Sequence, residues 1–166
     1  LLVSQDDGGT WKASGAIDCS PLLEAQPYSR LVEHEGKLLM PLFGKLPVSG
    51  KQASCSGLLR SGDGGKTWGD FTVIACDRKE AGTKFGPTAV YADPEGSMLA
   101  MISADDTYVY RSISIDGGRS WSEPDQRLLA CNPILVAVGS TLACVDQETM
   151  DRGPIRAQFS ENLFDS

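Results

Sequence analysis

Ser61-Gly62-Asp63-Gly64-Gly65-Lys66-Thr67-Trp68, or SGDGGKTW, sets three glycines, one acid and a Lys-Thr pair ahead of a tryptophan. Its second half imitates a phosphate-binding loop, G-x-x-x-x-G-K-[ST], whose glycines let backbone N–H groups curl round phosphate. The opening glycine of that pattern would stand at position 60, and Arg60 stands there instead, blocking close backbone approach. An EF-hand calcium loop needs oxygen ligands at alternating positions and a late bidentate Glu. Positions 63 to 74 offer no such series. Both readings fail on spacing.

The stretch has copies. Ser4 to Trp11 reads SQDDGGTW and Ser114 to Trp121 reads SIDGGRSW. Aligned, they share S-x-D-x-G-x-[ST]-W: Ser4, Asp6, Gly8, Thr10, Trp11; Ser61, Asp63, Gly65, Thr67, Trp68; Ser114, Asp116, Gly118, Ser120, Trp121. The serines lie 57 and then 53 residues apart, and Ser160 opens a partial fourth copy 46 residues after Ser114. Periods near 50 residues mark repeated supersecondary units.

Short apolar runs separated by turn residues fill each repeat. The first reads as strands at Tyr28 to Glu33, Lys37 to Phe43, Ser56 to Arg60 and Phe71 to Ala75, with a Gly/Ser-rich loop from Pro47 to Ser54. The second reads as Thr88 to Tyr91, Met98 to Ile102, Val109 to Ile113 and Arg127 to Ala130. The third reads as Ile134 to Val138, Leu142 to Val145 and Ile155 to Phe159. Four antiparallel strands per unit, without an amphipathic helix, describe an all-β propeller blade. The expected blades are approximately 28–76, 85–130 and 132–166, with 1–20 the end of a preceding one. The S-x-D-x-G-x-[ST]-W segment then turns the chain between third and fourth strands: glycines supply φ > 0, the Asp accepts backbone N–H groups and the Trp packs on the blade.

Composition limits the function. A net charge of −7 with no basic stripe argues against nucleic acid or an anionic membrane surface. No apolar run is long enough to span a membrane. The chain starts at Leu1 without a signal-peptide pattern, so any export signal is expected to lie outside it. His34 is the only histidine, it sits in a His-Glu-Gly turn, and the five cysteines fit no zinc spacing, so neither metal nor cofactor is expected. Cys19 and Cys76 both stand 15 residues after a box serine, at equivalent places in successive units, which disfavours a bridge between them. Mostly buried free thiols are the expectation.

S-x-D-x-G-x-[ST]-W is the Asp-box, or BNR repeat, and the chain resembles the sialidase-like superfamily. Lys37-Leu38-Leu39-Met40-Pro41-Leu42-Phe43-Gly44 is similar to the family's dGxLLxPxYG stretch, and Gly153-Pro154-Ile155-Arg156-Ala157 to its GIRAxxS strand. The resemblance implies a six-bladed propeller with Asp boxes remote from the sugar site, a glycan or small-sugar ligand, and an exported protein, whether secreted, periplasmic or cell-surface. It also implies retaining exo-hydrolysis of a terminal sugar such as sialic acid, through an arginine cluster, a Tyr nucleophile assisted by Glu, and an Asp acid. Where the family places a Glu and two of its arginines, this chain has Phe85-Gly86-Pro87-Thr88, Ser103 and Gln147. A non-catalytic Asp-box propeller that binds carbohydrate or protein is the alternative.

Strand direction puts any site on the end opposite the boxes. That end is expected to hold Arg30 and Arg152 as ligand-binding cations and Asp105, Asp106 and Glu148 as acids, while Arg156, alternating with Ile155 and Ala157, covers a blade face. Three blades cannot close a ring, because propellers need about four to eight. Two apolar faces are then left open, and either further chain or a self-associating second copy would cover them. The cut fourth box favours a segment of a longer chain.

Overall fold

The computed structural model describes residues 2–13, 15–77, 82–139, 141–148 and 153–160. Among these residues every regular element is a β-strand. A ribbon pairs β1 (Leu2–Val3) with β2 (Lys12–Ala13). In the first sheet, β3 (Leu23–Pro27) and β4 (Val32–His34) both pair with β5 (Lys37–Val48), which pairs with β6 (Lys51–Ser61), which pairs with β7 (Gly69–Cys76). The second sheet has the order β8 (Phe85–Ala92), β9 (Met98–Ala104), β10 (Tyr108–Ser114), β11 (Asp125–Leu129). The third has β12 (Cys131–Val138), β13 (Thr141–Gln147) and β14 (Ile155–Ser160). All pairings are antiparallel.

Successive side chains on a strand point to opposite faces, and the three sheets use both. Met98, Ala100 and Ile102 of β9 join Leu39, Leu58 and Ile74 in the cluster between the first and second sheets. Their neighbours Leu99 and Met101 join Leu135, Leu142 and Cys144 between the second and third. A third cluster, with Met40, Leu42 and Leu59, lies on the first sheet's other face, where Leu22 and Ile17 cover it. A strand buried on both faces reads as a continuous apolar run, hence Met98-Leu99-Ala100-Met101-Ile102.

The first repeat departs from its expected strands in two places. The strand at Tyr28 to Glu33 is broken. Pro27 offers no N–H to the ladder, Ser29 adopts a φ of 22°, and pairing resumes only at β4. The loop expected from Pro47 to Ser54 is instead the end of a long hairpin. Ser49 and Gly50, at φ 49° and 79°, form a two-residue turn whose twist suits paired strands. Leu46, Val48 and Ala53 carry the apolar pattern on to the tip. The expectation of free thiols also needs correction, since Cys55 and Cys76 are directly opposite on β6 and β7 and form a disulfide. Sequence spacing compared neighbouring repeats, whereas the bond forms inside one sheet. Cys19, Cys131 and Cys144 are free.

Each S-x-D-x-G-x-[ST]-W segment is a turn with one bonding scheme. In the middle copy Ser61 Oγ donates to Asp63 Oδ1 (2.8 Å) and accepts from the Gly65 N–H (2.8 Å). Thr67 donates its hydroxyl to Asp63 Oδ2 (2.6 Å), and the Trp68 indole N–H donates to Gly65 O (3.0 Å). The same bonds recur around Asp6 and Asp116. The Thr or Ser hydroxyl is the largest cause of a lowered carboxyl pKa, about 2 for Asp6 and well below the ordinary carboxylate range for Asp63 and Asp116. A carboxylate with its oxygens so engaged is a structural fastener.

Arg60, which spoiled the phosphate pattern, links two sheets. It is 6% exposed and reaches from β6 to the next turn. Nη1 donates to Asp70 O (2.7 Å) and Thr72 Oγ1 (3.0 Å), and Nη2 donates to Gly118 O (2.6 Å). Thr72 Oγ1 also donates to Gly118 O (2.9 Å).

Candidate functional site

The two ends of the sheets are chemically unlike. At one end stand the S-x-D-x-G-x-[ST]-W turns and the tight strand connections. His34 belongs here: its Nε2 lies 3.6 Å from where a Gly117 Cβ would sit, and it is buried without a hydrogen-bond partner. Among the described residues no cluster of ligating side chains could hold a metal ion. A groove of about 730 Å³ separates the first two turns, beside Asp6, Lys12, Gly65 and Lys66. Asp6 is committed to its own turn there.

At the opposite end, chain connections from different sheets are tied together. Lys84 N–H donates to Asp105 Oδ1 (2.9 Å), and Asp105 N–H donates to Lys84 O (3.2 Å), joining the start of β8 to the β9–β10 turn. Ala130 N–H donates to Thr107 O (2.9 Å), and Asn132 N–H donates to the buried Ser103 Oγ (2.7 Å), joining the second sheet to the third. Asp105, Asp106 and Asn132 hold positive φ angles of 53°, 54° and 54°. Bridging hydrogen bonds of this kind hold such backbone in place.

Cys131 opens β12, and its thiol donates to Gln147 O (3.4 Å). Burial is the main cause of its raised thiol pKa, followed by the Asp106 and Asp146 carboxylates, with the Arg156 guanidinium opposing them. Tyr28, half-buried in the break between β3 and β4, has its hydroxyl pKa raised by burial and then by Cys131.

Among the described residues at this end, Asp146 is the one carboxylate whose side chain is fully buried, and it is fully engaged. Oδ1 accepts from Arg156 Nε and Nη2, both at 3.0 Å, and Oδ2 accepts from Gln158 Nε2 at 2.9 Å. Arg156 also donates to Leu129 O (2.6 Å). An open groove of about 730 Å³ runs past Arg127, Leu129, Arg156 and Gln158. At the start of β8, against the cluster between the first and second sheets, Phe85 meets Tyr110 edge to face, with ring centroids 5.7 Å apart.

Of the expected site residues, Asp105, Asp106 and Glu148 are exposed at this end, with Asp105 tied to Lys84 and Glu148 N–H donating to Pro154 O (3.2 Å). Arg30 is exposed beside Tyr28, in the break before β4. Arg152 lies outside the described residues, as does the fourth box beyond Ser160. Sequence reading passed over Tyr28 and assigned Arg156 to covering a sheet face. The available signal was parity: Asp146 shares the side of Leu142 and Cys144, so an acid stands on the buried face of β13 and requires a cation opposite.

No protein-family profile matches the sequence, and no curated protein matches it. Solved structures do. Over 95% of this chain and 46% of the other, the fold resembles that of a protein of unknown function from Dyadobacter fermentans, with a TM-score of 0.79 at 19% identity. Over 98% of this chain and 55% of the other, it resembles an α-L-arabinanase from Penicillium chrysogenum complexed with arabinobiose, with a TM-score of 0.69 at 21% identity. The chain thus has an all-β, propeller-like fold and spans about half the length of the solved structures it matches.

Proposed function

We propose that this chain is the glycan-directed part of a propeller of the sialidase-like, Asp-box type. In this reading its three sheets are blades of a six-bladed ring, and its ligand is a terminal sugar held at the end opposite the boxes. The observation that carries the reading is the one bonding scheme shared by the three S-x-D-x-G-x-[ST]-W turns, which engages their carboxylates and leaves the opposite end for a ligand. Retaining exo-hydrolysis, with sialic acid or a related sugar as the substrate, is the activity proposed for the full-length protein. The fold likeness to an α-L-arabinanase supports a sugar ligand in general and makes arabinosides the second substrate class to test.

Non-catalytic carbohydrate binding is the second reading, and one observation favours it. Arg156 is held by Asp146 and by Leu129 O, so its guanidinium is already committed before any ligand carboxylate arrives. Sialosides and arabinosides carrying a fluorogenic leaving group, offered to this chain and to any longer parent, separate the two. Turnover that falls at least tenfold in Asp106→Asn supports hydrolysis. Binding to immobilised glycans without turnover supports the binding module. Neither turnover nor glycan binding by either form rejects both readings. Export is proposed on the family resemblance, and the Cys55–Cys76 disulfide fits an oxidising compartment.

A further inference from the structure

The β5–β6 hairpin is longer than its counterpart in the second sheet, and only at one end. Counting back from the box serines aligns Cys55 of β6 with Tyr108 of β10. Tyr108 is opposite Ala104, and the second sheet turns there at Asp105 and Asp106. Cys55 is opposite Gly44, and the first sheet continues for four further rungs: Lys45–Ser54, Leu46–Ala53, Pro47–Gln52 and Val48–Lys51. β5 leaves the box end at the His34–Lys37 turn, so these rungs rise from the candidate ligand end. At about 3.4 Å per residue they stand about 13 Å above the level of the Asp105–Asp106 turn.

The projection is braced as a fixed wall. Leu46 is 9% exposed and shares the cluster of Leu22 and Leu42. Gly44 makes room for that brace, since a Cβ there would lie 2.9 Å from Leu22 Cγ. Lys45 Nζ pairs with Glu24 at 2.8 Å, and the Cys55–Cys76 disulfide crosses the foot of the ladder. The opposite side of the hairpin faces the second sheet. Ser56 Oγ, on that side, donates to Gly86 O (2.9 Å), and register puts Ser54, Lys45, Gln52 and Pro47 above it. Lys84 precedes Gly86 and donates its N–H to Asp105 Oδ1 (2.9 Å), so this side rises beside the Asp105–Asp106 turn. Asp77 N–H donates to Ser54 O and Gly82 N–H to Asp77 Oδ2, which keeps the described ends of the β7–β8 connection at the foot. Higher up, Pro47 and Gln52 are exposed.

We propose that this wall reads the units following a terminal sugar, so that the ligand is an oligosaccharide bound by its end and not a free monosaccharide. The inference rests on the glycan-directed reading. A chain extending from a terminal sugar at the level of the Asp105–Asp106 turn cannot cross the first sheet, so on that side it climbs along the wall. The wall overtops a single sugar ring. The Gln52 amide offers both donor and acceptor to sugar hydroxyls, and the Pro47 ring offers an apolar surface to a sugar's C–H face. Because the ladder is fixed before a ligand arrives, little freedom is lost when a glycan lies along it.

Calorimetric titration of this chain, and of any longer parent, with sialyllactose against the methyl glycoside of sialic acid tests the proposal. Arabinotriose against arabinose is the second pair. The longer member of one pair is expected to bind about tenfold tighter, as one or two added hydrogen bonds would give. Deleting Pro47, Val48, Lys51 and Gln52 removes the top of the ladder and keeps the Ser49-Gly50 turn between Leu46 and Ala53. That shortened hairpin should bring the affinity ratio to about one. Gln52→Ala leaves the ladder intact, should lower the ratio about threefold, and keeps the test decisive where the shortened hairpin fails to fold. A fall in either variant supports the wall. Equal affinity for both members of the pair that binds, or a ratio that both variants leave unmoved, overturns the proposal while the glycan-directed reading stands. Binding of none of the four sugars rejects that reading and the proposal with it.

Discussion

Replacing Arg60 by Met removes a buried cation while keeping most of its aliphatic stem. Two short bonds disappear, from Nη1 to Asp70 O (2.7 Å) and from Nη2 to Gly118 O (2.6 Å). Bonds from a charged donor contribute about 1.5–3 kcal/mol each. Burial already counts against the guanidinium, and it is the main cause of the lowered Arg60 pKa, so part of the loss is offset. The net cost should be about 2–3 kcal/mol, or a fall in Tm of about 4–12 °C for a domain of this size. A second substitution makes the reasoning sharper. Gly118 O also accepts from Thr72 Oγ1 and from the Trp121 indole N–H, so Arg60→Met or Thr72→Val alone leaves that carbonyl two donors. The double variant leaves it the indole alone, and because Arg60 Nη1 also donates to Thr72 Oγ1 the double effect should depart from the sum of the single effects by more than about 0.5 kcal/mol. Urea denaturation of all four proteins measures the cycle. A cost for Arg60→Met under about 0.5 kcal/mol, or additivity within that margin, would refute the role of Arg60 as the link between sheets.

Three further outcomes follow from the same geometry. Cys55 and Cys76 are 21 residues apart, so reduction, or Cys55→Ala with Cys76→Ala, should cost about 3 kcal/mol by loop entropy and remove the only disulfide among the described residues; denaturation with and without reductant checks it. The box carboxyls titrate lower when folded than unfolded, so their stabilisation is complete above about pH 4 and is lost as pH falls through the folded values, about 2 for Asp6 and lower for the others. Urea midpoints should therefore drop between pH 4 and 2, and Asp63→Asn with Asp116→Asn should flatten that slope. Gly57→Ala would set a Cβ 2.5 Å from the Phe71 ring and from Thr72 O, whereas Gly62→Ala meets nothing within 4 Å. The first should cost upwards of about 2 kcal/mol and the second almost nothing, as thermal melts would register.

Most of the fold was legible because each unit repeats a local rule. The S-x-D-x-G-x-[ST]-W turn needs only neighbours within its own eight residues, so spacing alone located it, and the continuous apolar run from Met98 to Ile102 marked a strand. What failed depended on partners distant in sequence. Ser49-Gly50 looks like loop until Leu46 and Ala53 are known to share the cluster of Leu42, which turns six of the eight residues of apparent linker into ladder. Cys55 and Cys76 could not be matched from equivalence between repeats, because their contact is across one β-ladder.

The candidate site was legible as an end but not as a set of residues. Strand direction excludes the box end from the list of candidates, and the box carboxylates there are engaged by their own turns. Charge alone ranked Arg30, Asp105, Asp106 and Glu148 together at the other end. Burial separates them. Those four are exposed, where charges contribute little unless organised, while Asp146 and Arg156 stand on the buried parity of adjacent strands and hold each other. A buried acid fixed by a bidentate cation and an amide cannot also bind a ligand without giving up a partner. Its role is therefore to aim Arg156. On the proposed glycan-directed reading, ligand contact then falls to the exposed charges at that end, Asp106 among them, rather than to the buried pair.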